Sequence, residues 1–183
     1  STRISEGGMK SASNRGGTFR GRGERLLVLT VLNHPEILES YFDEFASIQL
    51  SVPDLDRLHR AIIEIAASES DLDYGGMKHH LSYRGLSELV GKLDSKLAGS
   101  LDWFVEPETA LEDATRGWLH LLARYKQAHL KQEVNAALEH YERDATNENL
   151  TRLVMAKKAL QEAEGNEAEL DGFGVASGRE TGF

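Results

Sequence analysis

The 183-residue chain contains no cysteine and only three prolines. The missing thiols exclude disulfides, thiol chemistry and cysteine-ligated zinc sites. No apolar run approaches the roughly 18–20 residues that a membrane-spanning helix needs, and the N-terminus lacks the apolar core of a signal peptide. The sequence therefore predicts a cytoplasmic protein with no membrane partner. Because it begins at Ser1 rather than at a methionine, we expect it to be a segment of a longer protein.

Charge is unevenly distributed along the chain. The formal net charge is -9, which predicts little direct binding of nucleic acid, since such binding depends on neutralising phosphates. The first 25 residues nevertheless hold six basic and two acidic residues among glycines and serines. This composition predicts that residues 1–22 form a flexible linker. The alternative is an Arg-Gly arm that contacts nucleic acid or an acidic peptide.

Recognisable catalytic motifs are missing from the sequence. The adjacent His79 and His80 would point in different directions on a helix, and the seven histidines form no HExxH pattern. There is no phosphate-binding GxxxxGK[ST] loop and no GxSxG nucleophile turn. The sequence therefore predicts no catalytic centre, no metal site and no cofactor.

A buried first helix followed by a sharp break is the clearest structural signal. Five apolar residues cover most sides of this helix, which indicates a buried element. Pro35 must end it, because proline lacks an N–H and disfavours a helical residue before it. We expect Asn33 to cap a second helix that begins at Pro35. The five apolar residues are Leu26, Leu27, Leu29, Val31 and Leu32.

Further helices are predicted from periodicity and capping residues. Ser51 is placed to cap a third helix. Pro107 is placed to begin the longest element, which would reach Arg143 and extend about 50 Å. Trp103 and Phe104 are interpreted as hinge residues that pack between the bundle and this long helix.

A short link after Arg143 leads to a final helix over residues 147–164. Two helices joined by a short link form an antiparallel pair. No strand signal rises above short ambiguous runs, so the predicted fold class is all-α. The predicted organisation is a bundle over 23–126, a C-terminal helical hairpin over 127–164 and a disordered tail over 165–183.

This order of parts resembles the C-terminal helicase-binding domain of bacterial DnaG-type DNA primases. The likeness rests on a leucine-rich helix, Asn33-His34-Pro35-Glu36, a small bundle, one very long helix and a terminal helix. Primases are nucleotidyltransferases that make RNA primers, but the resemblance implies that this segment carries none of their catalytic residues. It implies a module that docks onto the DnaB-type replicative helicase at the bacterial replication fork.

The resemblance also implies two binding sites. Helicase contacts fall on the terminal helices, at Tyr141, Leu150, Leu153, Val154, Lys157 and Leu160. The acidic, phenylalanine-ended tail of single-stranded-DNA-binding protein would bind at Arg20, Arg22, Arg25 and Val28. Glu24 departs from this pattern, since it places a carboxylate among the arginines.

Two alternative interpretations stay open at the level of sequence. One is the N-terminal domain of a DnaB-type helicase, which shares the bundle and the hairpin. The other is an unrelated helical adaptor whose Arg-Gly arm binds nucleic acid, which predicts salt-dependent DNA binding.

Overall fold

The computed structural model describes residues 13–95 and 102–167, and the side chains of residues 21–94 and 102–164. Every regular element within these ranges is helical, which confirms the all-α class. Residues 1–12 and 168–183 lie outside the described residues, and so do the expectations for them. The seven α-helices are α1 (Ser13–Asn33), α2 (Leu38–Ala46), α3 (Pro53–Ser68), α4 (Tyr74–Tyr83), α5 (Ser87–Ser95), α6 (Leu111–Arg143) and α7 (Asn147–Glu167).

The leucine-rich helix α1 lies at the centre of the bundle. It contacts α3, α4, α5 and α6, and each of its five predicted core residues is buried. Trp118 of α6 is fully buried against it and donates its indole N–H to the carbonyl of Leu27 at 3.1 Å. α1 begins at Ser13, so it includes ten residues that the composition assigned to the linker.

The break after α1 occurs where Pro35 predicts it, but its capping differs from the prediction. A short 3₁₀ turn, Pro35–Ile37, precedes α2, and no side chain caps it. Asn33 instead donates its amide to the carbonyl of Val105 at 2.8 Å. The imidazole Nε2 of His34 bonds to the carbonyl of Glu106 at 2.9 Å. Both side chains are therefore used to fix a distant segment rather than to cap a helix.

The beginning of α3 also differs from the prediction. Its N-cap is Val52, with Pro53 in the first turn and no side-chain cap. Ser51 does not cap α3 because it is bonded to Glu24.

The α4–α5 connection is a tight turn that requires glycine. Gly85 has a φ of 72°, a left-handed conformation that carries little cost only without a Cβ. Its N–H bonds to the carbonyl of Ser82, and that of Leu86 bonds to Leu81. This is a Schellman arrangement, and the buried Leu86 supplies its usual apolar contact.

The long helix α6 begins later than the sequence predicts. Pro107 lies exposed in a turn, and α6 starts at Leu111 with Ala110 as N-cap. The preceding residues form a 3₁₀ turn, Trp103–Val105, which packs on α1 and α6. From Leu111 the helix runs 33 residues to Arg143, about 50 Å at 1.5 Å per residue.

Candidate protein-docking surfaces

The helices α6 and α7 pack along a seam of alternating three- and four-residue spacing. Such spacing keeps one stripe of each helix turned toward its partner. Ala137 and Leu153 are the most buried residues of the seam, and Lys131 pairs with Glu164 at 3.8 Å. This ion pair sets an antiparallel register, since it joins the middle of α6 to the end of α7. The other seam positions, all half-buried, are Leu130, Val134, Tyr141, Asn149, Ala156, Leu160 and Ala163.

One side of this helix pair carries exposed apolar side chains. In an antiparallel pair, residues that directly follow seam positions lie on the same side of both helices. Lys131 and Glu164 both follow seam positions, and their ion pair identifies that side. Leu150 is 42% exposed and Val154 is 57% exposed. We call the group Leu138, Leu150, Val154 and Lys157 the Leu150 face.

The predicted helicase-contact residues divide into three groups. Leu150, Val154 and Lys157 are exposed and share the Leu150 face. Tyr141 and Leu160 are half-buried in the seam. Leu153 is buried between the two helices, so its assignment as a contact residue is wrong, because its surface is already covered by α6.

Two exposed apolar residues were missed from the sequence. Leu138 is 37% exposed and belongs to the Leu150 face, whereas Met155 is 67% exposed on the opposite side of α7. The residue type alone does not distinguish Leu138 and Met155 from the leucines and methionines of the core. Placing the seam repeat on the sequence would have identified both, because each lies off the buried stripe.

The predicted site for an acidic tail is only partly assembled. Arg20 lies in α1, but its side chain is outside the described residues. Arg22 is exposed and pairs with Asp102 at 2.5 Å. Val28 is fully buried, so its assignment as a residue that contacts the tail is wrong. Its side chain faces the bundle core, because α1 is covered on most sides.

The charged side chains of Arg25 and Glu24 lie in different environments. Arg25 is half-buried, with its Nε atom shielded from solvent and without a hydrogen bond. The carboxylate of Glu24 is fully buried and accepts hydrogen bonds from Ser51. Glu24 is therefore directed into the protein and does not divide the arginines at the surface.

A cavity of about 240 Å³ lies where α6 leaves the bundle. Ile48, Leu122 and Leu130 form its apolar wall, and Ser47, Lys126 and His129 line its polar rim. We call it the Ser47 cavity. Tyr125 and Gln49 also line the cavity, and the hydroxyl of Tyr125 donates to the carbonyl of Gln49 at 2.5 Å and accepts from its N–H at 3.1 Å. These bonds join α6 to the loop between α2 and α3.

The described residues contain neither a cluster of metal ligands nor a membrane-spanning helix. In residues 21–94 and 102–164, no three His, Asp or Glu side chains converge as metal ligands would. His79 and His80 lie with ring centroids 6.0 Å apart, and His129 is 3.5 Å from Glu133. None of the described helices is long and apolar enough to cross a membrane.

Comparison with known proteins gives no further assignment. No family model, curated protein or solved structure matches the chain.

Proposed function

We propose that this chain is a non-catalytic docking module of a DnaG-type primase, which binds the DnaB-type replicative helicase through the Leu150 face. In this role it recruits and regulates primer synthesis at the bacterial replication fork. The order of the elements supports the proposal: a leucine-rich helix broken at Pro35, a bundle, one 33-residue helix and a returning terminal helix.

The observation that carries the proposal is the exposure of Leu150 and Val154. They lie four residues apart, so they project from the same face of α7. Lys157, one turn further on, is exposed, and none of the ion pairs among the described side chains includes it. Apolar anchors beside a cation suit a helical partner surface that offers a groove and a carboxylate.

A calorimetric titration against the DnaB-type helicase tests this assignment. We expect V154D to weaken binding at least tenfold, because a carboxylate would be buried at the interface. M155D is the matched control, since Met155 is also an exposed apolar residue but lies on the opposite side of α7, and it should stay within twofold of the parent. Circular dichroism confirms that both variants are folded.

A chain ending at Arg143 locates the site independently, since it lacks α7 entirely. Loss of binding is expected. No binding by the full chain, with its helicity intact, would remove the helicase proposal. Equal losses for V154D and M155D would remove the Leu150 face as the site.

We also propose that the arginines of α1 bind the acidic tail of single-stranded-DNA-binding protein, without the contribution of Val28. The supporting observation is the pairing of the exposed Arg22 with Asp102, because an acidic tail would have to replace that carboxylate. D102N should therefore tighten tail binding and R22A should weaken it. Fluorescence anisotropy of a labelled tail peptide measures both, and unchanged affinity in both would contradict this site.

A further inference from the structure

The helix α4 and the turn after it form a basic and aromatic surface on an acidic protein. The chain has a formal net charge of -9, yet residues 74–87 contain no aspartate or glutamate. They contain Lys78, Arg84, two histidines and two tyrosines. We call Lys78, His79, Tyr83 and Arg84 the Tyr83 surface. The overall charge of the chain does not describe this surface, which would attract an anionic partner.

Tyr83 carries the most exposed ring of this surface. It is 90% exposed, more than any other large apolar or aromatic side chain in the described part of the chain. His79 lies one turn earlier, is also exposed and shares the same face of α4. Exposed rings beside cations are the surfaces on which bases stack in proteins that bind single-stranded nucleic acid.

Two cations flank this ring. Arg84 pairs with Glu64 of α3 at 2.5 Å, and both side chains are exposed. The ammonium of Lys78 lies over the ring of Tyr74, 4.6 Å from its centroid, and 4.0 Å from the carboxylate of Asp94. Exposed ion pairs contribute little to stability. Both cations can therefore exchange their carboxylate partners for phosphates.

A cavity of about 310 Å³ lies next to Tyr83, between α4 and α5. The buried Leu81 and Val90 supply its apolar surface, and Ser82 and Ser87 contribute hydroxyl groups. We call it the Ser82 cavity. Its volume is at the lower end of the roughly 300–1,000 Å³ of small-molecule sites. Apolar surface beside hydroxyl groups suits a nucleobase, whose edges carry hydrogen-bond donors and acceptors.

We propose that the Tyr83 surface binds single-stranded nucleic acid, independently of the helicase contact. One base stacks on Tyr83 and a neighbouring base enters the Ser82 cavity, while Arg84 and Lys78 neutralise the phosphates beside them. An acidic peptide would use the two cations but not the exposed ring and the cavity together. The ring and the cavity therefore favour nucleic acid as the partner.

Fluorescence anisotropy of a labelled oligothymidylate, titrated with the full chain at low salt, tests the proposal. Y83A should weaken binding at least fivefold, at the lower end of what the loss of a stacking ring costs. Y83F keeps the ring and should stay within twofold of the parent. No binding by the parent would overturn the proposal. Equal affinities of Y83A and the parent would also overturn it and would assign the binding to the basic residues in 1–22.

The charge contact is tested with two arginine variants. R84Q should weaken binding and reduce the slope of log affinity against log salt by about 0.7, the value for one phosphate of a single strand. R116Q is the matched control, because Arg116 of α6 likewise pairs with an exposed glutamate, Glu112, at 2.6 Å. It should stay within twofold of the parent. Equal losses in both variants would overturn the assigned site.

The cavity is tested by filling it. Gly91 lines the cavity, and an added Cβ at this position meets nothing within 4 Å. G91L should therefore keep the fold, as checked by circular dichroism, and weaken binding by narrowing the cavity. Unchanged affinity would overturn the placement of a base there. A polyglutamate peptide that displaces the labelled strand as well as unlabelled oligothymidylate does would overturn nucleic acid as the partner.

Discussion

The carboxylate of Glu24 in α1 holds Ser51, which lies just before α3. It accepts a hydrogen bond from the backbone N–H of Ser51 at 2.9 Å and another from its hydroxyl at 2.8 Å. Glu24 is fully buried, and a buried carboxylate is tolerated only when hydrogen bonds compensate it. The contact thus joins α1 to the residues just before α3, and neither segment's sequence indicates that Glu24 and Ser51 are in contact.

Loss of this contact should destabilise the fold. E24A should lower the free energy of unfolding by about 2–3 kcal/mol, since hydrogen bonds to a charged group are lost and donors are left without a partner. S51A keeps the backbone bond and should cost about 1 kcal/mol. Urea denaturation followed by circular dichroism measures both. E69A changes an exposed glutamate and should alter stability by less than about 0.5 kcal/mol. An E24A variant as stable as E69A would contradict the role of Glu24.

The glycines at 85 and 91 should respond in opposite ways to alanine. Gly85 has a positive φ, so G85A should cost about 1–2 kcal/mol of strain. Gly91 lies in α5, where an added Cβ meets nothing within 4 Å, so G91A should stabilise by about 0.5–1 kcal/mol. Thermal unfolding of the two variants measures the difference, and a stabilising G85A would refute the left-handed turn.

The protein should become less stable as the pH decreases, and His59 should account for part of this loss. Burial lowers the pKa of His59 below its ordinary value of 6.5, and its Nε2 bonds to the carbonyl of Phe45 at 2.8 Å. On acidification below pH 6.5 the unfolded chain binds a proton at this position before the folded chain does. His59 therefore contributes a loss of stability from pH 6.5 down to its lowered pKa and no further change beyond it.

The variant H59Q isolates this contribution, because glutamine also offers an N–H but does not titrate. The decrease in unfolding free energy between pH 7.5 and pH 5.5 should be smaller in H59Q than in the parent. Urea denaturation at the two pH values measures it. Equal decreases in both proteins would show that other groups account for the pH dependence.

The seam between α6 and α7 should be separable from the bundle core. L153A removes a buried side chain and should cost about 2–3 kcal/mol locally. V154A changes its exposed neighbour and should cost less than about 0.5 kcal/mol. Hydrogen exchange should show faster exchange of α7 amides in L153A, with α1 amides unchanged. Equal acceleration in α1 would show that the pair and the bundle unfold together.

Periodicity and proline were sufficient to predict the helical class and the burial of α1. Each depends on neighbours within a few residues, such as the five apolar residues of α1 and the break at Pro35. The seam of α6 and α7 follows from the same local repeat. These features could be predicted from the sequence because the geometry of a helix sets the spacing of its side chains.

Capping assignments failed wherever a distant group competed for the same side chain. Asn33 is bonded to Val105, 72 residues away, and Ser51 to Glu24, 27 residues away. The start of α6 was misplaced for a related reason, because the carbonyls of Val105 and Glu106, which precede it, are bonded to Asn33 and His34. Local propensity has no information on such partners.

The sequence does not show which aliphatic side chains of a candidate site are exposed to solvent. Among the predicted contact residues, Leu150 and Val154 are exposed, whereas Leu153 and Val28 are buried, although all four are aliphatic. The difference between Leu153 and Val154 is one position on a helix, or about 100° of rotation. The facing helix decides which of the two is covered, and the binding role of the exposed residues stays a prediction.

The continuous helix α6 extends far beyond Tyr125, where two hydrogen bonds join it to the loop between α2 and α3. Eighteen residues, about 27 Å of helix, separate Tyr125 from the end of α6 at Arg143. If α6 tilted by about 10° at Tyr125, its end at Arg143 would move sideways by about 5 Å, because each residue adds 1.5 Å to the length of this arm of helix. The two hydrogen bonds between Tyr125 and Gln49 lie at the base of this arm, so a small change in their geometry is enlarged at the end of α6. A force on the end of α6 would act first on the loop between α2 and α3, because Tyr125 is bonded to Gln49 in that loop.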